Sequence, residues 1–142
     1  MFETVNLTKE HLLSLSEEPS NKFIFDWMAS GHADEMIKTG VAGILNGQVM
    51  VCGGAIEQWN GRAFVWSIFS TKCKTCFLPV YRGIKRFFDT QPYTRLEFAV
   101  PINNPYGHRR ALMLGFKLET PLAEKYLPNG EDCALYALVR SN

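Results

Sequence analysis

No charge of either sign dominates these 142 residues: 15 Lys and Arg face 14 Asp and Glu, a formal net charge of +1. That balance argues against a general nucleic-acid binder, whose affinity comes from neutralising phosphates with a basic surface. No apolar run approaches the length of about eighteen residues that a membrane-spanning helix needs, so no membrane partner is expected. The opening Met-Phe-Glu-Thr-Val-Asn lacks a basic segment followed by an apolar stretch, so no secretory signal is expected and the chain reads as cytoplasmic. Cysteine is sparse. Cys52, Cys73, Cys76 and Cys133 read as thiols rather than disulfides in an unexported chain. Repeats, linkers and low-complexity tracts are missing as well. What is present is 46% hydrophobic and 13% aromatic residues, enough for one real core, and residues 1–142 read as a single domain.

The chain begins with an edge strand over residues 2–7. Thr8 then caps a short helix through His11, Leu12 and Leu13. Ser20 caps a second helix with Phe23, Trp27 and Met28 on one face and Gly31 at its end, and a third helical stretch runs from Ala33 to Lys38. Asn46-Gly47 and Asn60-Gly61 are both type I′ hairpin signals, which predicts an antiparallel meander over 41–45, 48–58 and 62–70. Gly53-Gly54 suggests a bulge or a close backbone approach in the middle strand. Phe77, Val80, Tyr81, Ile84, Phe87 and Phe88 recur at helical spacing, and Pro79 places that helix's start between Thr75 and Leu78. Gln91-Pro92 ends it. The chain closes with strands over 116–119 and 132–139, joined by a loop that contains Asn129-Gly130.

The most informative stretch is Arg95 to Phe116. Leu96, Phe98 and Val100 alternate as in a strand, and Asn104-Pro105 is a natural helix entry. Gly115 sits where a helix end needs positive φ. Asn104, the small Gly107, Gly115 and Phe116 fall on a pattern, N-x-x-small followed by G-F, that resembles the cofactor-side strand and helix of the GNAT N-acetyltransferase superfamily. Ala111 stands where that family most often has its tyrosine general acid. The order of strands and helices resembles the family over nearly the whole chain. The resemblance implies an α/β, GNAT-type (acyl-CoA N-acyltransferase) fold, a mixed, mostly antiparallel twisted sheet flanked by helices. Exposed strand edges in such a sheet are compatible with a monomer or a homodimer.

Four groups of residues could carry chemistry. Ser70, Thr71, Lys72, Cys73, Lys74, Thr75 and Cys76 form the loop ahead of the Phe77 helix. The family holds the pyrophosphate of coenzyme A there with a glycine-rich loop and the positive end of the next helix. This loop has no glycine, so its hydroxyls and lysines stand in, or it is a solvated basic connection. Cys73 and Cys76 form a C-x-x-C pair without two further ligands at sensible spacing, so no metal is expected. For the proton transfers of acetylation, Tyr106 and His108 are candidate acids, against an aromatic lid on the turn and a solvent-exposed histidine. Glu57 and Glu97 are candidate bases, against ion-pair partners of Lys or Arg. Finally, Arg109 and Arg110 with Lys72, Lys74, Arg82, Lys85 and Arg86 read as a phosphate-attracting basic face or as solvated helix surfaces.

The resemblance implies an acetyl-CoA-dependent N-acetyltransferase acting on an amine of a small molecule or protein. Phe69, Ser70, Thr71 and Asn104 would hold the pantetheine and acetyl end of coenzyme A, Lys72 to Cys76 its pyrophosphate, and Arg109 is a further cofactor-side candidate. The glycine-free basic loop and the Asn104-to-Arg109 turn are also similar to short, divergent acetyltransferase-like proteins of short-tailed bacteriophages. That similarity implies an alternative: a catalytically degenerate protein that binds a host protein in the host cytoplasm or serves as a virion component.

Overall fold

The computed structural model describes residues 1–16 and 21–141. In chain order it has β1 (Phe2–Asn6), α1 (Lys9–Leu13), α2 (Lys22–Trp27), a π-helical turn (Met28–His32), α3 (Ala33–Thr39), β2 (Gly40–Leu45), β3 (Gln48–Trp59) and β4 (Arg62–Phe69). A 3-10 turn (Thr71–Lys74) leads into α4 (Phe77–Asp89), followed by β5 (Arg95–Pro101), α5 (Pro105–Met113), β6 (Lys117–Ala123) and β7 (Cys133–Val139). The strands form one seven-stranded sheet in the order β1-β2-β3-β4-β5-β7-β6. The β1/β2, β2/β3, β5/β7 and β6/β7 ladders are antiparallel, and β4/β5 is parallel. This is the mixed, mostly antiparallel α/β architecture expected from the sequence. The expected helix cap at Ser20 lies outside the described residues, as does the side chain of Phe23.

By contact the chain divides into two compact units. The first comprises Met1–Ile56 and Ser67–Gln91, the second Glu57–Trp66 and Pro92–Asn142.

In the first unit α1 starts on a reciprocal cap: Thr8 Oγ1 accepts from the His11 amide, and His11 Nδ1 accepts from the Thr8 amide. Gly31, at φ 111°, lets the chain turn from the π-helical segment into α3. The β2–β3 hairpin has positive φ at both Asn46 and Gly47, as a type I′ turn requires. The Asn60-Gly61 turn, in the second unit, differs from expectation, because φ is positive at Gly61 but not at Asn60.

Gly53 and Gly54 pair in register with Val41 and Gly40, so the bulge in the ladder with β2 falls elsewhere. Gly43 pairs with Val51 and Ile44 with Val49, so Met50, not Gly53-Gly54, is the extra residue of β3. Met50 and Val51 therefore both reach the same apolar cluster, with Phe69, Cys73 and Val80. Phe2 packs against that cluster, and its ring fills the space above two residues without side chains, Gly43 of β2 and Gly83 of α4. Arg82-Gly83 is mid-helix, and its glycine serves packing.

In the second unit, the parallel ladder pairs Arg62–Phe64 with Arg95–Glu97, although β4 runs on to Phe69 and β5 to Pro101. Asn104 caps α5, its Oδ1 accepting from the Gly107 amide at 3.1 Å. Gly107 lies so close to β5 that a Cβ there would come within 2.7 Å of Val100 Cγ1. Gly115, at φ 91°, ends that helix as its position predicts. Among the described residues, no helix is long and apolar enough to cross a membrane.

Candidate functional site

The loop between β4 and α4 is built on the bulge in β3. The Met50 carbonyl accepts from the Ser70 amide at 2.8 Å and from the Cys73 thiol at 3.1 Å. Ser70, buried, turns its Oγ to accept from the Lys72 amide at 3.1 Å, while its carbonyl accepts from the Cys73 amide at 3.1 Å. The Lys72 carbonyl then accepts from the Thr75 amide, the Thr75 hydroxyl and the Cys76 thiol. Three backbone donors, on Lys72, Cys73 and Thr75, are thus turned into the loop itself, and that of Ser70 is turned to β3. A glycine-type backbone cradle is not what these residues form.

The helix that follows is a different matter. α4 is 13 residues long, its N-cap Cys76 makes no side-chain cap, and its first turn holds no acidic residue. Neither a Cys76 cap nor a carboxylate of its own first turn offsets the positive end of its dipole. Thr71, Lys72, Lys74 and Thr75 are exposed around that end, and the Lys72 ammonium reaches Gln48 Oε1 at 3.2 Å. The helix terminus, Lys72 and Lys74 are the groups here that would meet an anion such as a diphosphate. Cys73 is buried and Cys76 half-buried, both as free thiols. Phe69, the last residue of β4, has its N–H and C=O bonded by the carboxamide of Asn21, 3.3 and 3.2 Å away.

The second unit contains the four acid and base candidates with Asn104 and Arg109. His108 is half-buried: Nδ1 lies 2.7 Å from the Tyr136 hydroxyl and Nε2 3.1 Å from the Ile102 carbonyl. A carbonyl can only accept, so Nε2 carries a proton, and in the neutral ring Nδ1 accepts from Tyr136. Burial pushes the Tyr136 hydroxyl up, which suits this donor role. Tyr106 is 43% exposed and lies under the Arg109 guanidinium, 5.1 Å from its ring centre. Ala111 is fully buried.

Glu97 sits between two guanidiniums. Arg62 Nη2 is 2.6 Å from Oε1, and Arg95 Nε bonds Oε2 while its other nitrogens bond Glu119. Burial alone would raise the Glu97 carboxyl, but the bonds from Arg62 and Arg95 outweigh it and hold the group below its ordinary range. A carboxylate held ionised in this way is a weak base near neutral pH. Glu57, on β3, is exposed, and the Tyr93 hydroxyl is pushed up first by burial and then by the Glu57 carboxylate. Trp59, Arg62, Thr94, Arg95 and Glu97 line a shallow recess, with the Arg62 guanidinium 4.3 Å above the Trp59 ring. Among the described residues no group of three or more His, Cys, Asp and Glu could hold a metal ion.

Three contributors carried no sequence signal: Asn21, which holds Phe69, and Arg62 and Glu119, which complete the ion-pair chain around Glu97 and Arg95. Each acts over a long sequence separation, which neither periodicity nor a local motif encodes.

No protein-family model matches the sequence, and no curated protein sequence does either. Solved structures do resemble it. A probable acetyltransferase from Staphylococcus epidermidis superposes with a TM-score of 0.73 at 12% identity, covering 99% of this chain and 100% of that one. A GNAT-family acetyltransferase from Bacillus anthracis gives 0.71 at 13% identity, covering 97% and 94%. The ribosomal-protein-S18-alanine N-acetyltransferase from Escherichia coli gives 0.68 at 16% identity, covering 100% and 96%. At such identities the likeness establishes the GNAT fold and not an activity.

Proposed function

We propose that this chain is an acetyl-CoA-dependent N-acetyltransferase acting on an amine of a small molecule or of a protein. The observation that carries this reading is the uncapped, acid-free first turn of α4, set behind a loop that presents Lys72 and Lys74. In a GNAT fold, the first turn of this helix and those two cations suit a diphosphate group. The chemistry that bound acetyl-CoA supplies is an activated acetyl thioester. Lys72, Lys74 and Thr75 bind and orient the diphosphate end, and Phe69, Ser70 and Thr71 hold the pantetheine arm. For proton transfer the second unit offers Glu57 as the base, because the Glu97 carboxylate is engaged by two arginines. With Ala111 in the family's tyrosine place, the departing thiolate takes its proton from Tyr106 or from water.

A second reading has its own support. Three loop amides turned inward and a buried Ala111 together are what a chain retained for binding would carry. On that reading the protein is a phage-encoded relative of the acetyltransferases that engages a host protein or sits in the virion.

Calorimetric titration with acetyl-CoA and with coenzyme A separates the two. The enzyme reading expects saturable one-site binding in the micromolar range. It also expects the Lys72→Ala/Lys74→Ala double variant to lose about tenfold in affinity, the equivalent of about 1.4 kcal/mol. No heat and no thermal stabilisation at millimolar ligand overturns it and leaves the binding reading.

A further inference from the structure

Asn21 is only 4% exposed and directs its whole carboxamide at backbone. Oδ1 accepts from the Phe69 amide at 3.3 Å, and Nδ2 donates to the carbonyls of Phe69 and Leu15, both at 3.2 Å. An asparagine in the N-cap position usually serves the amides of its own helix. Asn21 occupies that position of α2 and makes no such bond.

Strand geometry decides which peptide it holds. The Ser70 amide bonds Met50 on β3, and neighbouring residues of a strand direct their backbone polar groups to alternate sides. The N–H and C=O of Phe69 therefore leave β4 on the side away from β3. A carboxamide offers that peptide one acceptor and one donor, the same pair that an adjoining strand or a ligand amide would offer. The side chain thus occupies the place of an amide partner at the end of β4.

We propose that Asn21 is an internal latch, a carboxamide that a coenzyme A ligand must displace so that an amide of its pantetheine arm can bond Phe69. The proposal rests on the acetyltransferase reading above. Binding exchanges one set of hydrogen bonds for another, so the net gain at Phe69 is small, and affinity is held below what the same edge would give if unoccupied. Displacement also strips the Leu15 carbonyl of its Asn21 bond, so ligand entry and the anchoring of the chain after α1 are coupled.

The test is calorimetry with coenzyme A on the wild type, on Asn21→Ala and on the neighbouring control Lys22→Ala. It is paired with heteronuclear NMR of the Asn21 side-chain amide in the wild type. The latch requires Asn21→Ala to bind roughly 5- to 30-fold tighter than wild type, the range for one to two hydrogen bonds no longer broken, with Lys22→Ala unchanged. It also requires the Asn21 amide resonances of the wild type to shift on saturation, a readout that stands even if Asn21→Ala does not fold. Unchanged or weaker binding by folded Asn21→Ala overturns the latch and leaves the function standing, as do unmoved Asn21 resonances in saturated wild type. If coenzyme A at millimolar concentration binds neither protein, the functional reading fails and the latch falls with it.

Discussion

At the scale of single residues, Glu97 shows how the same carboxylate reads differently from sequence and in place. Its bonds to Arg62 and Arg95 hold it ionised in the folded chain below its ordinary value of 4.5. A group that binds its proton less readily folded than unfolded adds stability above that value, and the contribution drains away as pH falls through the depressed one. Glu97→Gln should lower stability by about 2 kcal/mol near neutral pH, since two guanidiniums lose a charged partner. Urea melts should show the gap between wild type and variant narrowing once the pH drops below 4.5. The sequence names Glu97 as unusual in an apolar strand, and that much was legible. Its partners were not, because Arg62 belongs to another strand and nothing local specifies the register of a parallel ladder. His108 is a similar case. Its position one helical turn before Ala111 could be read, but its ring partners, the Ile102 carbonyl and the Tyr136 hydroxyl of β7, could not.

At the scale of elements, the packing of β1 on α4 depends on two missing side chains. The Phe2 ring covers Gly83 so closely that an added Cβ would fall inside its van der Waals surface, and Gly43 faces the same ring from β2. Gly83→Ala would raise helix propensity at an interior position, yet we expect it to destabilise by about 1–3 kcal/mol through overpacking. Combined with Phe2→Leu, the penalty should shrink, and a double-mutant cycle by thermal or chemical denaturation measures that coupling. From the sequence alone helical periodicity places Gly83 mid-helix, but no local pattern points to a ring at the other end of the unit. Turn chemistry was legible where the backbone demanded it. Asn46-Gly47 needs two positive φ values and has them, whereas Asn60-Gly61 carries the same letters on a turn that needs only one.

At the scale of the whole molecule, element order and strand count were legible, because hydrophobic period, caps and breakers all pointed to one architecture. The bonds of the loop after β4 were not legible, because its carbonyl anchor, Met50, lies on another strand. The thiols test the fold across its length. Cys52, Cys73 and Cys133 are buried, and burial pushes the Cys52 thiol up to about 12. Burial, then Asp132, raises Cys133 as well. A water-soluble disulfide reagent at neutral pH should therefore label Cys76 first. Cys76→Ser should remove that fast phase, and all four thiols should react once the chain is denatured. Fast labelling of more than one thiol would contradict the packing described here.

The extra residue in β3 has a consequence for how this loop can change over generations. Its anchor is the carbonyl of Met50, a group that every amino acid brings, so no point substitution at that position deletes it. Removing one residue does. The ladder with β2 would close into even register, the carbonyl would be drawn back into the sheet, and Ser70 and Cys73 would lose their acceptor together. The length of β3 is thus the inherited quantity at this point, while the letter at position 50 answers only to the core it fills.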